Sequence, residues 1–244
     1  MNIKSDLLEV LSVFTRWTNP TVNNKLIINY GVHIVAYRKS RRYDYGERLI
    51  ELPFLFRHIN PPPAKVLDIG CLESVVPIQL AMLGYKSTGI DIRDYGFKHK
   101  NFNFIKDDFN AHDFGNEKFD IIVDISAIEH FGLGSYGNKA RDLKADQKAI
   151  DKAIRLLKPN GQLLFTAPFG VNEIVDDFER VYDSGLLKMF SGLTFKKIEY
   201  YKLIKNEEIQ KLDAKHAESI INDRALGTYA VICINAIIAN RKSN

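Results

Sequence analysis

Acidic residues and a glycine follow three short apolar stretches in the middle of the chain. Asp68 and Gly70 end the first stretch, Asp91 ends the second, and Asp107 and Asp108 follow the third. A glycine lets the backbone turn sharply and approach a ligand closely. A carboxylate at the end of the second strand can accept hydrogen bonds from both hydroxyls of a ribose. An acid after the third strand can contact the amino group of an adenine. The pattern predicts a site for an adenosine-containing cofactor.

Asp68 narrows the kind of cofactor, because it places a negative charge beside the ligand. Such a charge repels a pyrophosphate and attracts a positively charged sulfonium group. The dinucleotide pattern G-x-G-x-x-G is also broken, since Leu72 and Glu73 occupy positions after Gly70. A sulfonium cofactor is therefore favoured over a nicotinamide dinucleotide.

Glu129 and His130 follow the fourth apolar stretch, close to where a transferred group would lie. A histidine can take a proton from a hydroxyl near neutral pH. Glu129 could orient this histidine, contact the charged end of the cofactor or cap the next segment, and His130 could instead only pack in its loop. We expect the pair to be catalytic. The glycine-rich residues 131–137 beside it are either a lid that excludes water or a simple connection.

The elements that must position these residues alternate between strands and helices. Strands are predicted over residues 65–69, 87–92, 102–105, 119–125, 162–167, 195–203 and 227–239. Helices are predicted over residues 74–84, 139–157, 173–191 and 207–221. This alternation is typical of an α/β fold, a doubly wound and mostly parallel sheet with helices on both faces. Ligands of such sheets bind outside the carboxyl ends of the strands.

The first sixty or so residues lack this alternation and form a separate section. Helices are predicted there over residues 3–17 and 45–58, with short strands or a turn over residues 25–37. The run Pro61-Pro62-Pro63 is the strongest break in the sequence. We therefore expect a mainly helical N-terminal extension or cap over residues 1–63, which selects the acceptor, and a main domain over residues 64–244. The apolar first helix could also pack on a second copy in a homodimer.

The composition excludes several classes of protein. The 244 residues are 45% hydrophobic and 26% charged, as in a globular domain with a sizeable core. A net charge of +4 does not predict a nucleic-acid partner, and two cysteines without paired spacing predict neither a disulfide framework nor a metal site. Asp6 and Glu9 interrupt any signal peptide, and the longest apolar run, residues 229–239, is too short for a membrane span. We expect a cytoplasmic protein.

The order and spacing of five segments resemble class I S-adenosylmethionine-dependent methyltransferases. The matching segments are residues 66–71, 85–91, 104–108, 119–130 and 156–165. The resemblance covers about residues 64–167 and implies a Rossmann-like sheet of seven strands with an antiparallel final strand. The chain departs from the family pattern Asp-x-Gly-x-Gly-x-Gly, because Leu72 and Ser74 stand at the later glycine positions.

The same resemblance implies S-adenosylmethionine as the cofactor and assigns its contacts. It places Asp68 and Gly70 at the methionine end, Asp91 at the ribose, and Asp108 with Phe109 at the adenine. Which of the two adjacent acids after the third strand faces the ligand stays open. The full set of expected cofactor-binding residues is Asp68, Gly70, Cys71, Asp91, Ile92, Asp107, Asp108, Phe109 and Ser126.

The expected function is in-line methyl transfer to a small molecule or sugar, at a hydroxyl oxygen, with His130 and Glu129 as catalytic residues. After the fourth strand the chain reads Asp124-Ile125-Ser126, without the Asn/Asp-Pro-Pro-aromatic motif of enzymes that methylate amino groups in nucleic acids. Two alternatives stay open. One is a non-catalytic interaction domain that retains the fold, which the altered glycine loop allows. The other is a nicotinamide-dependent oxidoreductase, which the broken glycine pattern disfavours.

Overall fold

The computed structural model describes residues 46–134, 136, 141–204, 208–223 and 228–238. The chain divides into two compact units, Met1–Tyr45 and Gly46–Asn244. The elements expected over residues 3–17 and 25–37 lie outside the described residues. The first helix of the second unit precedes the triple proline at which we expect the domain boundary, and the role of a cap in acceptor selection stays a prediction.

Eight of the described strands form one sheet in the order β3-β2-β1-β4-β5-β10-β8-β9, and β6 and β7 form a separate hairpin. In chain order the strands are β1 (Lys65–Ile69), β2 (Lys86–Asp91), β3 (Phe102–Lys106), β4 (Phe119–Ile125), β5 (Leu157–Phe169), β6 (Glu173–Val175), β7 (Glu179–Val181), β8 (Leu193–Ile204), β9 (Glu208–Leu212) and β10 (Thr228–Ile238). The five strands from β3 to β5 are parallel, whereas β10, β8 and β9 are antiparallel to their neighbours. The predicted α/β class with a mostly parallel sheet is confirmed.

Helices cover both faces of this sheet. They are α1 (Gly46–His58), α2 (Val76–Met82), α3 (Ala145–Leu156) and α4 (Ala214–Glu218), with 3₁₀ turns at Cys71–Glu73, Ile128–His130 and Ser184–Met189. Successive strand residues point to opposite faces. In β4, Ile122 therefore packs in the apolar cluster that contains α3, while Ile121 and Val123 pack in the cluster that contains α1 and α2. This two-layered core holds the carboxyl ends of the parallel strands at one edge.

The segment after β5 contradicts the helix predicted over residues 173–191. It forms the hairpin of β6 and β7, which joins through Asp176 and Asp177, both with φ of 53°. The Phe178 amide donates to the Val175 carbonyl at 2.8 Å and closes the turn. Positive φ at both central residues is typical of a type I′ turn, whose twist matches a hairpin. Aspartate tolerates this conformation, so Asp-Asp replaces the more recognisable Asn-Gly.

The helix predicted over residues 207–221 is also wrong. β9 pairs with β8 along the sheet edge, and only the short α4 follows, with Asp213 accepting a hydrogen bond from the His216 amide at its first turn. Edge pairing has overridden the helix propensity of the Glu, Gln and Lys side chains in this segment. β9 is the reason that the sheet has eight strands among the described residues where seven were expected.

Candidate functional site

A cavity of about 230 Å³ opens at the carboxyl ends of the parallel strands. Gly70 lines it after β1, Asp91 at the end of β2, Asp107 and Asp108 after β3, and Ser126 after β4. Parallel strands end at the same edge of a sheet, and this edge is where ligands bind in such folds. The structure thus brings these five residues together around one space.

The remaining residues singled out from the sequence fall into two groups. Ile92, Phe109 and His130 line the cavity as well. Asp68, Cys71 and Glu129 do not line it and are buried. The side chain of Cys71 packs with Ile78 and Tyr95 and against Gly89 of β2. Burial raises the pKa of its thiol, so it fits a packing role.

Hydrogen bonds to two acidic side chains hold the turn after β1, in which Leu72 and Ser74 replace the glycines of the family pattern. Gly70 has φ of 67°, and a Cβ there would lie 2.4 Å from the Cβ of Ala127 in the loop after β4. The Leu72 amide donates to Asp91 Oδ2 at 3.0 Å. Ser74 Oγ donates to Asp68 Oδ2 at 3.1 Å. Two acids expected at the cofactor therefore also fix the bulkier loop.

An ion-pair cluster at one edge of the cavity was not predicted. Arg93 donates to Asp91 Oδ1 from its backbone amide at 2.9 Å and from Nε at 3.3 Å. Its guanidinium also donates to Glu73 Oε1 at 2.8 Å and lies 4.3 Å from the ring centre of Tyr136. An ionised carboxylate offers about four acceptor sites. Three donors already occupy Asp91, so about one acceptor site on its carboxylate is left for a ligand.

The loop after β3 is anchored by Lys152 of α3. Its ammonium group donates to the carbonyl oxygens of Phe109 at 2.6 Å, Asn110 at 3.2 Å and His112. The ammonium also lies 5.1 Å from the ring centre of Phe109. This lysine keeps the backbone of the loop in one conformation beside the cavity.

The two adjacent acids of this loop both line the cavity. Asp107 Oδ2 lies 2.8 Å from His112 Nδ1, and this hydrogen bond is the main cause that lowers the pKa of Asp107. Asp108 Oδ1 accepts the Asn110 amide at 2.7 Å. Their positions alone do not select one of them for the ligand.

Arg48 of α1 brings a positive charge to the cavity lining. It donates to Glu51 Oε2 at 2.5 Å and to the Ile125 carbonyl at 3.2 Å. Burial by itself would lower the pKa of Arg48, but Glu51 and, to a smaller extent, Glu47 together outweigh it and raise the pKa, so the guanidinium stays charged. Glu51 also accepts hydrogen bonds from Thr166 Oγ1 at 2.8 Å and from the hydroxyl of Ser126, whose φ is 48°.

Three buried acids lie behind the cavity lining. Burial raises the pKa of Asp68 to about 7. Burial, together with the neighbouring charge of Asp68, raises the pKa of Asp124 well above its usual range, and burial with Asp124 does the same for Glu129. Neither Asp124 nor Glu129 makes a side-chain hydrogen bond of ordinary geometry to the described residues. Burial therefore favours the neutral, protonated form of both side chains.

The ring of His130 is oriented by the hairpin. Nδ1 lies 2.6 Å from the carbonyl oxygen of Phe178. A carbonyl only accepts, so Nδ1 carries the hydrogen, and in the neutral ring the lone pair is on Nε2. Nε2 lies 3.8 Å from Glu129 Oε1. The ring also contacts Tyr136 and Phe178, at centroid distances of 5.2 and 4.6 Å.

A family model described as a methyltransferase domain matches residues 37–198. No curated protein sequence matches the chain. Among the residues that the structure describes, no helix has the length and apolar character needed to cross a membrane, and no cluster of three or more His, Cys, Asp or Glu could hold a metal ion.

Three solved structures have similar folds. The 1,6-didemethyltoxoflavin-N1-methyltransferase of Burkholderia thailandensis, solved with 1,6-didemethyltoxoflavin and S-adenosylhomocysteine, is 13% identical with a TM-score of 0.56, covering 91% of this chain and 93% of that one. The N-methyltransferase NodS of Bradyrhizobium japonicum, solved with S-adenosylhomocysteine, is 15% identical with a TM-score of 0.53, covering 84% and 92%. A putative methyltransferase of Bacillus halodurans is 14% identical with a TM-score of 0.54, covering 78% and 98%. The TM-scores show a shared fold at low sequence identity.

Proposed function

Because the chain belongs to the methyltransferase-domain family, we propose that it transfers the methyl group of S-adenosylmethionine to a hydroxyl oxygen of a small molecule. The observation that carries this proposal is the cavity at the carboxyl ends of β1 to β4, which His130 and Asp91 both line. The cytoplasmic location and a homodimer through the N-terminal section belong to the same proposal.

The chemistry of the lining fits this cofactor. Asp91 offers a carboxylate to the ribose hydroxyls, and Phe109 with Asp108 lines the part of the cavity suited to the adenine. Arg48 offers a charged donor to the carboxylate of the methionine end. When bound, S-adenosylmethionine supplies an activated methyl group and a neutral sulfur leaving group. Asp68 lies behind Gly70, where a negative charge would favour the cationic end.

His130 would hold the proton during the reaction. As the acceptor oxygen attacks the methyl carbon, its proton passes to Nε2, the nitrogen that bears the lone pair when Nδ1 donates to Phe178. The resulting imidazolium lies 3.8 Å from Glu129 Oε1, and its positive charge favours ionisation of that buried carboxyl group, which then pairs with it. General-base catalysis of this kind increases the rate by about 10²- to 10⁴-fold. Alignment of the reactants supplies the remaining rate enhancement.

An amine nitrogen is the second candidate acceptor. Two proteins with similar folds are named as N-methyltransferases. A protonated amine must lose a proton before it attacks, and the same imidazole, with the buried carboxyl group of Glu129 next to it, could accept that proton.

Calorimetric titration of the full chain tests the cofactor assignment. We expect S-adenosylmethionine and S-adenosylhomocysteine to bind and NAD not to bind. Asp91→Ala should lose most of this binding, whereas His130→Ala should retain it. Failure of both adenosyl ligands to bind would overturn the proposed function and favour a non-catalytic interaction domain.

Matched acceptors distinguish the two acceptor classes. Methyl transfer is measured on pairs of ring compounds that differ only by hydroxyl or amino, and on sugars with their amino-sugar counterparts. We expect the hydroxyl member of a pair to be methylated and His130→Ala to slow that transfer by about 10²-fold or more. Methylation of only the amino members would replace the hydroxyl proposal with the second candidate.

A further inference from the structure

β7 carries a buried arginine that the proposed reaction does not use. Arg180 is 6% exposed. One of its terminal nitrogens donates to the carbonyl oxygen of Glu129 at 2.9 Å and to that of Phe131 at 2.7 Å. These two residues stand immediately before and after His130. Arg180 therefore holds the backbone on both sides of the proposed base.

Arg180 is itself fixed by α3 and by the residues just before it. Its Nε lies 3.3 Å from Asp146 Oδ2, and its second terminal nitrogen donates to the Leu143 carbonyl at 3.4 Å. The hydroxyl of Tyr182 donates to the same oxygen of Asp146 at 3.1 Å. A buried arginine is costly unless a carboxylate and further hydrogen bonds compensate it, and all of these are present here. The guanidinium links α3, β7 and the loop after β4.

The same hairpin contacts the ring of His130 directly. Phe178 precedes Arg180 by two residues, and its carbonyl oxygen lies 2.6 Å from Nδ1. The hairpin thus holds His130 at three points, namely the carbonyls on either side of it and one ring nitrogen. The planar guanidinium suits this task, because it presents several donors in a fixed geometry, whereas an ammonium group is a single flexible point charge.

We propose that Arg180 is a positioning residue which, together with the carbonyl of Phe178, keeps His130 in the tautomer with its lone pair on Nε2. This inference rests on the assignment of His130 as the base in the proposed function. In that reaction the acceptor oxygen forms a bond to the methyl carbon, the methyl–sulfur bond breaks with its electron pair going to sulfur, and the acceptor proton goes to Nε2. A ring with its hydrogen on Nε2 could not accept that proton there.

Nitrogen-15 NMR of the histidine-labelled full chain tests the positioning role without an acceptor. Two-bond couplings distinguish hydrogen on Nδ1 from hydrogen on Nε2, and His130→Gln assigns the signal. We expect the wild type to hold the hydrogen on Nδ1. Arg180→Lys and Arg180→Met should each give a mixture of tautomers. Arg141→Met is the matched control, because Arg141 pairs at 2.8 Å with Asp177 of the same hairpin but is exposed, and it should leave the tautomer unchanged.

Kinetics on the same variants separate positioning from folding. We expect both Arg180 variants to bind S-adenosylhomocysteine within a few-fold of the wild type, and Arg180→Met to lose about 10²-fold in kcat, the scale of a base displaced by about 1 Å. The lysine variant should recover part of kcat. Wild-type tautomer and kcat in both variants would overturn the proposal. Failure of both to fold, while Arg141→Met folds, would also overturn it and make Arg180 purely structural.

These results are distinguishable from failure of the proposed function. If the wild type binds no adenosyl ligand, the function fails while the tautomer of His130 can still be measured in the unliganded chain. If the wild type binds and methylates but the Arg180 variants behave like it, only the positioning role fails.

Discussion

The backbone amide of Leu72 donates a 3.0 Å hydrogen bond to Oδ2 of Asp91, which joins the turn after β1 to the end of β2. The other oxygen of the same carboxylate accepts two donors from Arg93. The acid expected to bind the ribose therefore also fixes the loop in which the family's second glycine is replaced. Loss of that glycine does not leave the loop without support.

Asp91→Asn should weaken cofactor binding. The amide removes the negative charge and one acceptor oxygen, and hydrogen bonds to a charged group are worth about 1.5–3 kcal/mol each. We expect the Kd for S-adenosylhomocysteine to rise about 10- to 100-fold by calorimetry. Asp94→Asn is the matched control, because Asp94 pairs with Lys106 on the surface. Equal effects of the two variants would contradict a specific role for Asp91.

Arg93→Ala should tighten binding of the same ligand. Removing the side chain frees one acceptor site on Asp91 and removes the contact with Glu73, so the ribose no longer has to displace a salt bridge. Partly exposed pairs are worth about 0.2–1 kcal/mol, which corresponds to a Kd lower by up to about fivefold. Calorimetry on the wild type and the variant decides this, and weaker binding by the variant would show that Arg93 assists the ligand.

Gly70→Ala should lower both the free energy of unfolding and the affinity for S-adenosylhomocysteine. An alanine at φ of 67° costs about 1–2 kcal/mol, and its Cβ would also collide with that of Ala127. Gly115→Ala separates the two causes, because Gly115 has φ of 56° with open space around its Cβ position. Urea unfolding should show a larger loss of unfolding free energy for Gly70→Ala than for Gly115→Ala. Equal losses would mean that the Ala127 loop moves aside without cost.

The acids at the strand ends were predictable because each follows a short apolar run. Placing Asp91 and Asp108 at one site required only the inference that parallel strands end at the same edge of a sheet. Contacts between distant segments carry no such local signal. Glu51 of α1 accepts a hydrogen bond from Thr166 of β5, which is 115 residues away in the chain. Arg180 reaches the backbone around His130 only because residues 173–181 turn back as a hairpin.

The hairpin was missed because its turn lacks the Asn-Gly or Asp-Gly pair that usually indicates a type I′ turn. Asp176-Asp177 sits in a stretch rich in acidic side chains, and only the positive φ of both residues distinguishes a type I′ turn. Arg93 was missed for a related reason, since its contacts depend on the turn after β2. These two local conformations determine which side chains surround the proposed base and the proposed ribose acid.

Buried acids should make the protein less stable as the pH rises. Burial raises the pKa of Asp68 to about 7 and that of Asp124 well above its usual range. Between the ordinary aspartate pKa of about 4 and these raised values, the unfolded chain releases protons that the folded chain keeps. The free energy of unfolding then falls with pH, by at most about 1.4 kcal/mol per pH unit for each group. For Asp68 the fall ends near pH 7.

Asp124→Asn should flatten this fall, because an amide stays neutral in both states. We expect a shallower decline of the unfolding free energy between about pH 4 and pH 8, measured by urea unfolding at each pH. Asp120→Asn on the same strand is the control of opposite sign. Burial alone would raise the pKa of Asp120, but the hydrogen bonds from Lys158 and from the Lys65 amide together lower it. Its stabilisation is present above about pH 4 and lost below. A wild-type slope in Asp124→Asn would mean that Asp124 is already ionised in the folded protein.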